Sequence, residues 1–175
     1  MHPECWHYRD PKSGLIVSIA PPVLRLFEDS RQRLWQRERG GVLFAESVGS
    51  NGRLEIIEAT MPHAHDRAGW NWLALDHQRC LGEISDRFTR GLHFVGYWHT
   101  HPERTPRPSA RDATVLQRNL LEGGTSLQKL ITVIVGTDRA ATGLCVATIS
   151  RANSAPSVFV PQFVPTGDML EPAQD

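Results

Sequence analysis

Apolar positions fall into two kinds of run along this chain, β-branched blocks and stripes at helical spacing, and their alternation sets out the elements. Leu15–Ala20 is a β-branched block that reads as a strand; Pro21 and Pro22 end it and suit the first turn of a helix. Val23, Leu24, Phe27, Leu34 and Trp35 continue as an apolar stripe, predicting a helix to about Gln36. A strand is expected from about Gly41 ("GVLFAESV") and another over "RLEIIEAT", with Asn51-Gly52 between them as a tight-turn signal for a hairpin. Met61–Asn71 is polar and irregular; Asp76–Arg90 reads as a helix, weakened by Gly82; Leu92–Trp98 is a strand. Ser109 can cap a helix from Ala110 to about Leu121, closed by Gly123-Gly124. "LQKLITVIVG" is the longest apolar β run and is expected at the sheet's centre, with "GLCVATIS" as its hairpin-like partner. A short stretch, Val158–Val164, is expected to add an edge strand, and the tail after Gly167 to be mobile. Strands and helices interleave, so the fold class is α/β with a mixed sheet flanked by helices.

Composition narrows the function classes. The 175 residues suit one domain, with Lys+Arg 19 and Asp+Glu 19, so there is no electrostatic footprint for nucleic acid or an anionic membrane. Cys5, Cys80 and Cys145 are an odd set without short pairing, which fits a reducing cytoplasm and thiols used as small buried fillers. Met1–Asp10 holds His2, Glu4, His7 and Arg9 and does not read as a signal peptide; no apolar run approaches the ~18 residues of a membrane span.

The chemistry concentrates in "YWHTHPERTPRPSARD", Tyr97–Asp112. His99 and His101 stand two apart, so in an extended segment both imidazoles face one side, and Asp112 follows eleven residues after His101 in the first turn of the expected helix. Catalytic zinc takes three protein ligands and keeps one position open, and this set could supply the three. Pro102, Pro106 and Pro108 stiffen the loop between them. Spacing alone leaves open a strand end with surface histidines and a capped helix. It also occurs twice: His63 and His65 are followed by Asp76, again eleven residues on, but with Leu73 where the other copy has Ser109. A solvated loop is the expectation for that second copy. A hydrolytic site further needs a carboxylate to move protons, and Glu38 in "ERGGVLFA" and Glu46 at the strand's end are the two candidates. Gly40 and Gly41 after Glu38 permit close backbone approach.

"HTHPERTPRPSARD" resembles the JAMM motif of JAB/MPN-type metallopeptidases, H-x-H-P-x6-S-x2-D, and "ERGGVLFA" resembles their E-x-G-G-[IVL]-L-x-G segment, with Ala45 in place of the last glycine. Together with the order of elements, the likeness spans roughly Leu15 to Ser150. "VLRLFEDSRQ", "EATMPHAHDRAGWNW" and "DHQ" further resemble the prokaryotic JAB group that accompanies E1-like and E2-like proteins in bacterial defence operons of the CBASS and Bil kinds. The resemblance implies a single-domain MPN, cytidine-deaminase-like fold over residues 1–166, followed by a tail at 167–175. It implies Zn²⁺ on His99, His101 and Asp112, with Glu38 as base for the attacking water and later acid for the leaving amine, and Ser109 as hydrogen-bond donor to the oxyanion. Glu46 has no counterpart, and Trp98, opposite the histidines, is expected in the core. Trp70 and Trp72 are candidates for gripping a partner's tail, or for packing on the domain's own sheet. The family's substrates are extended C-terminal tails that can add as a strand beside the zinc.

The implied activity is zinc-dependent cleavage after the C-terminus of a ubiquitin-like protein by a cytoplasmic enzyme of antiviral defence, with the ubiquitin-like protein, its conjugates and operon-encoded E1-like and E2-like proteins as partners. Two other JAMM-type readings stand beside it: a hydrolase of sulfur-carrier proteins or small amides, and a non-catalytic MPN scaffold. A zinc nucleobase deaminase would need H-x-E with P-C-x-x-C, and the chain has no C-x-x-C.

Overall fold

The computed structural model describes residues 5–33, 35–47, 52–123 and 126–162. In chain order they form β1 (Trp6–Arg9), β2 (Ile16–Ile19), α1 (Pro21–Ser30), β3 (Gly40–Ala45), β4 (Arg53–Ile56), β5 (Glu58–Ala59), β6 (Arg67–Ala68) and β7 (Leu73–Ala74). Then follow α2 (His77–Thr89), β8 (His93–Thr100), α3 (Ala110–Glu122), β9 (Lys129–Val135), β10 (Leu144–Ser150), β11 (Asn153–Val158) and β12 (Val160–Gln162). Among the described residues β11-β10-β9-β8-β3-β5 make a six-stranded sheet and β12-β1-β2-β4 a four-stranded one, with β6 and β7 as a small ribbon. The β8–β9 and β2–β4 pairs are parallel and their other neighbours antiparallel, so both sheets are mixed.

The apolar runs take the central places because only there are both faces covered. β9 lies between β8 and β10 as expected, and Leu130 to Val135 are buried throughout. One core joins the sheets: Tyr8, Val17 and Ile19 from the smaller, Leu43, Trp98, Val133 and Val146 from the larger, and Val23, Leu24 and Phe27 from α1. On the other face of β3 and β8, Val42 and Phe44 meet Cys80 and Ile84 of α2, with Phe94 and Tyr97. A register shift opposite Gly96 changes the phase of β8: Leu43 pairs with Gly96, and Phe44 with Phe94. A Cβ on Gly96 would run into the Ile131 carbonyl. The shift lets Val95 and Trp98 both face the joint core, and it puts Tyr97 and then His99 on the opposite side. Trp98 is fully buried, its ring centroid 5.1 Å from that of Phe27 and its indole N–H donating to the Thr60 carbonyl at 3.0 Å.

Three expectations are corrected. α1 stops at Ser30 rather than near Gln36. The apolar stripe reaches Trp35 only by passing over Arg31, whose guanidinium turns back to Glu28 of the helix (2.7 Å) and reaches the Gly136 carbonyl (2.6 Å). Trp35 has a left-handed backbone (φ 67°) and is 92% exposed. Second, the strand after the Asn51-Gly52 turn does not form a simple hairpin with β3. Arg53–Ile56 joins β2 in parallel, and the antiparallel partner of β3 is the next piece, β5, where Leu43 meets Ala59. Leu54 and Ile56 alternate into the joint core, which holds that piece in the smaller sheet. Most of the turn, residues 48–51, lies outside the described residues. Third, the described part of the edge strand expected at Val158–Val164, which ends at Gln162, is divided between two sheet edges: Val158 closes β11 on the larger sheet, and β12 pairs with β1 on the smaller. Buried Phe159 is the point of exchange. The N-terminal strand β1 had no apolar run to announce it; the fully buried Tyr8 anchors it. The boundary at residue 166 and the tail lie outside the described residues.

No helix among the described residues is long and apolar enough to cross a membrane. Cys80 and Cys145 are buried and Cys5 half-buried. Burial pushes the Cys80 and Cys145 thiols up to about 11, the state of inert filler.

Candidate metal centre

β8 delivers His99 at its penultimate position and His101 just past its end. The His101 backbone stays tied to the sheet through its N–H, which donates to the Val135 carbonyl at 2.9 Å. The loop then returns to α3, whose first turn carries Asp112. Ser109 caps α3 in a reciprocal box: its Oγ accepts from the Asp112 N–H at 3.1 Å, and Asp112 Oδ2 accepts from the Ser109 N–H at 2.8 Å. The Ser109 hydroxyl also donates to Asp112 Oδ2 at 2.6 Å. These bonds fix the carboxylate and leave Oδ1 turned to His99.

The three side chains meet. His99 Nε2 and His101 Nε2 are 3.1 Å apart, His99 Nε2 is 3.4 Å from Asp112 Oδ1, and His101 Nε2 is 3.5 Å from Asp112 Oδ2. Ligand atoms of a tetrahedral zinc site, with bonds of about 2.0–2.1 Å, stand roughly 3.3 Å from one another. The spacing therefore fits such an ion on three corners. Among the described residues this is the one group of three that could hold a metal. His101 Nδ1 lies 2.9 Å from Glu103 Oε2, a contact that orients the ring so that Nε2 faces the other two donors. Glu103 was not singled out from sequence; a carboxylate two residues past a candidate ligand was its only signal.

Glu38 comes from the segment just before β3. Its N–H donates to the Gly69 carbonyl at 2.8 Å, its side chain is 4% exposed, and Oε1 is 4.0 Å from His101 Nε2. The glycines after it allow this: a Cβ on Gly40 would collide with the Trp98 carbonyl of β8 and one on Gly41 with the Thr60 carbonyl. Burial pushes the Glu38 carboxyl up to about 7, with the nearby His101 pulling it down and Asp112 pushing it up. A carboxyl poised there can both take and give a proton near neutrality. Burial alone would raise Asp112, but hydrogen bonds from His101, His99 and Ser109 outweigh it and hold that carboxyl well below its usual range. The same balance works in reverse on His101: burial lowers it, and Asp112, Glu38 and Glu103 raise it above the ordinary imidazole value.

The remaining candidates separate. Glu46 is exposed beyond β3. His63 and His65 are exposed, and Asp76 is spent as the N-cap of α2, accepting from the Arg79 N–H at 2.8 Å. Trp70 is 61% exposed. Trp72 is half-buried, its indole lying where a Cβ on Gly69 would be and Arg111 over its ring at 6.0 Å. The two tryptophans thus sit beside the Gly69 carbonyl that holds Glu38.

Residues 20–149 match the family described as prokaryotic homologs of the JAB domain. A Vibrio cholerae protein named CD-NTase/cGAS isopeptidase is 30% identical over 133 residues, covering 74% of this chain and 81% of that protein. An Escherichia coli protein of the same name is 26% identical over 122 residues, covering 69% and 76%. A solution structure of a Desulfitobacterium hafniense protein, 17% identical, superposes with a TM-score of 0.51 over 79% of this chain and 83% of that one, a likeness of fold. With the mixed sheets, the strand-end histidines and a family match over most of its length, the chain belongs to the prokaryotic JAB family.

Proposed function

We propose that this chain is a zinc-dependent isopeptidase that cleaves after the C-terminal residue of a ubiquitin-like protein in a bacterial antiphage conjugation system. The observation that carries the reading is the buried Glu38 carboxylate standing 4.0 Å from His101 Nε2, which faces two further donors at metal-ligand spacing. In this reading His99, His101 and Asp112 hold Zn²⁺, which when bound supplies a Lewis acid and lowers the pKa of a water. Glu38 takes that water's proton and returns it to the departing amine. Ser109 serves the oxyanion by turning its hydroxyl proton from Asp112 toward the substrate, while the reciprocal backbone bonds keep Asp112 in place. Exposed Trp70, with the half-buried Trp72 beside it, offers apolar surface to the tail. The name borne by the relatives, CD-NTase/cGAS isopeptidase, supports a CD-NTase as the conjugated target; E1-like and E2-like proteins are the partners we propose as makers of the conjugate.

The test is a fusion of the ubiquitin-like protein to a reporter through its C-terminal residue. The zinc-loaded protein should release the reporter at that junction and stop when a chelator is added; an intact fusion, or cleavage indifferent to the chelator, would count against the reading. A second expectation concerns the partner of His101. Glu103→Ala should weaken zinc binding by about 10–100-fold, because the imidazole loses the group that fixes its tautomer and tilt. Competition with a chromogenic chelator measures it, and unaltered affinity would show that Glu103 has no such role.

A further inference from the structure

Gln32 lies beyond the end of α1, at the last position of "VLRLFEDSRQ", and is only 2% exposed. Its side-chain amide makes three hydrogen bonds. Its amide Nε2 donates to two carbonyls, Gln36 at 2.7 Å and Trp70 at 2.8 Å, which fixes the amide's orientation because carbonyls can only accept. Its Oε1 accepts from the Thr100 hydroxyl at 3.3 Å. Thr100, fully buried between His99 and His101, in turn accepts from the Arg39 N–H at 3.0 Å and donates its own N–H to the Arg39 carbonyl at 2.8 Å. Each contact is next to a residue that matters. Gln36 stands two before Glu38, Arg39 follows it, Trp70 follows the Gly69 that accepts from the Glu38 N–H, and Thr100 separates the two histidines.

We propose that Gln32 is a positioning residue that sets the Glu38 carboxylate against the metal centre by tying the Glu38 segment, the Trp70 loop and the end of β8 to one another. A buried glutamine that merely satisfied itself could do so within one segment; this one spans three, and all three converge on the same site. Burial makes each bond costly to lose, because a carbonyl left without a donor there has no water to replace it. The inference deepens the isopeptidase reading and rests on it for its catalytic readout, so the test carries a second readout that does not.

The decisive variant is Gln32→Met, which keeps the volume and deletes all three hydrogen bonds. With the zinc-loaded protein and the ubiquitin-like reporter fusion, kcat should fall on the order of 100-fold while KM stays within about twofold, the pattern of a displaced catalytic group. Zinc stoichiometry should be unchanged. Amide exchange at Glu38, whose N–H is held by Gly69, should quicken, while exchange at Cys80 in α2 should not. Wild-type kcat with unchanged Glu38 exchange would overturn the proposal. So would a general loss of protection, at Cys80 as much as at Glu38, which marks a purely structural role. Should Gln32→Met fail to fold, Thr100→Val removes the hydroxyl that joins Gln32 to the Arg39 N–H, and the same two readouts apply. If the wild type leaves the fusion uncut, the isopeptidase reading fails, and the exchange comparison alone still decides for or against Gln32.

Discussion

Replacing Glu38 by Gln should abolish most of the turnover, by about 10²–10⁴-fold, and leave zinc content and fold intact. The change is isosteric. The contact that seats the segment is made by the backbone, Glu38 N–H to the Gly69 carbonyl, and survives it. What is lost is a carboxyl that burial has raised to about 7, able to accept a proton in one step and yield it in the next. An amide can do neither. Single-turnover cleavage of the reporter fusion, alongside zinc content, measures both halves of the expectation. A variant that cuts at the wild-type rate would leave the proposed reaction without its base.

His101→Ala should be at least as damaging, and by a different route. In the proposed site His101 gives one of three donors and lies against His99 at 3.1 Å, Asp112 at 3.5 Å, Glu103 at 2.9 Å and Glu38 at 4.0 Å. Removing it leaves two donors for an ion that needs three from the protein, and leaves three carboxylates close together with less positive charge between them. Losing the ion forfeits several kcal/mol of charge stabilisation, a factor of roughly 10³ or more in rate. Zinc content should fall to a small fraction of an equivalent, in contrast to Glu38→Gln, and this difference separates a ligand from a base. Full zinc content in His101→Ala would remove it from the ligand set.

Why one of two identically spaced motifs forms a centre is visible in how each helix is capped. In "HTHPERTPRPSARD" Ser109 takes the N-cap, so Asp112, three residues on, is free to aim Oδ1 at His99. In the copy at His63 and His65 the position of that serine is Leu73, and Asp76 must cap α2 itself. The aspartate is consumed by the helix, while Asp66, further along the same loop, is held by Arg79 at 2.7 Å. The serine was legible in the sequence as part of a motif; its bearing on the aspartate needed the fold.

The rest of the chain divides along the same line. Local signals carried the centre of the sheet, because β9 and β10 are apolar runs too long to lie anywhere else, and carried the His strand and both capped helices. Signals failed where a residue's partner lies far away in sequence. Nothing in "RLEI" tells β2 from β3 as its neighbour, and Arg31 breaks a helical stripe only because the Gly136 carbonyl waits for it. Glu38 was one of two candidate carboxylates, and only the resemblance chose it over Glu46, since no spacing rule links either to histidines on another strand. Gln32 was not reached at all: a glutamine buried as a junction looks like any surface glutamine until its three partners are in place.

The proposed reaction depends on a single ion at His99, His101 and Asp112, and the most direct measurement is a zinc titration of the metal-stripped protein, followed by cleavage of the reporter fusion. Activity should start near zero, rise in proportion to added zinc and break at one equivalent. Full cleavage before any zinc is added would contradict it.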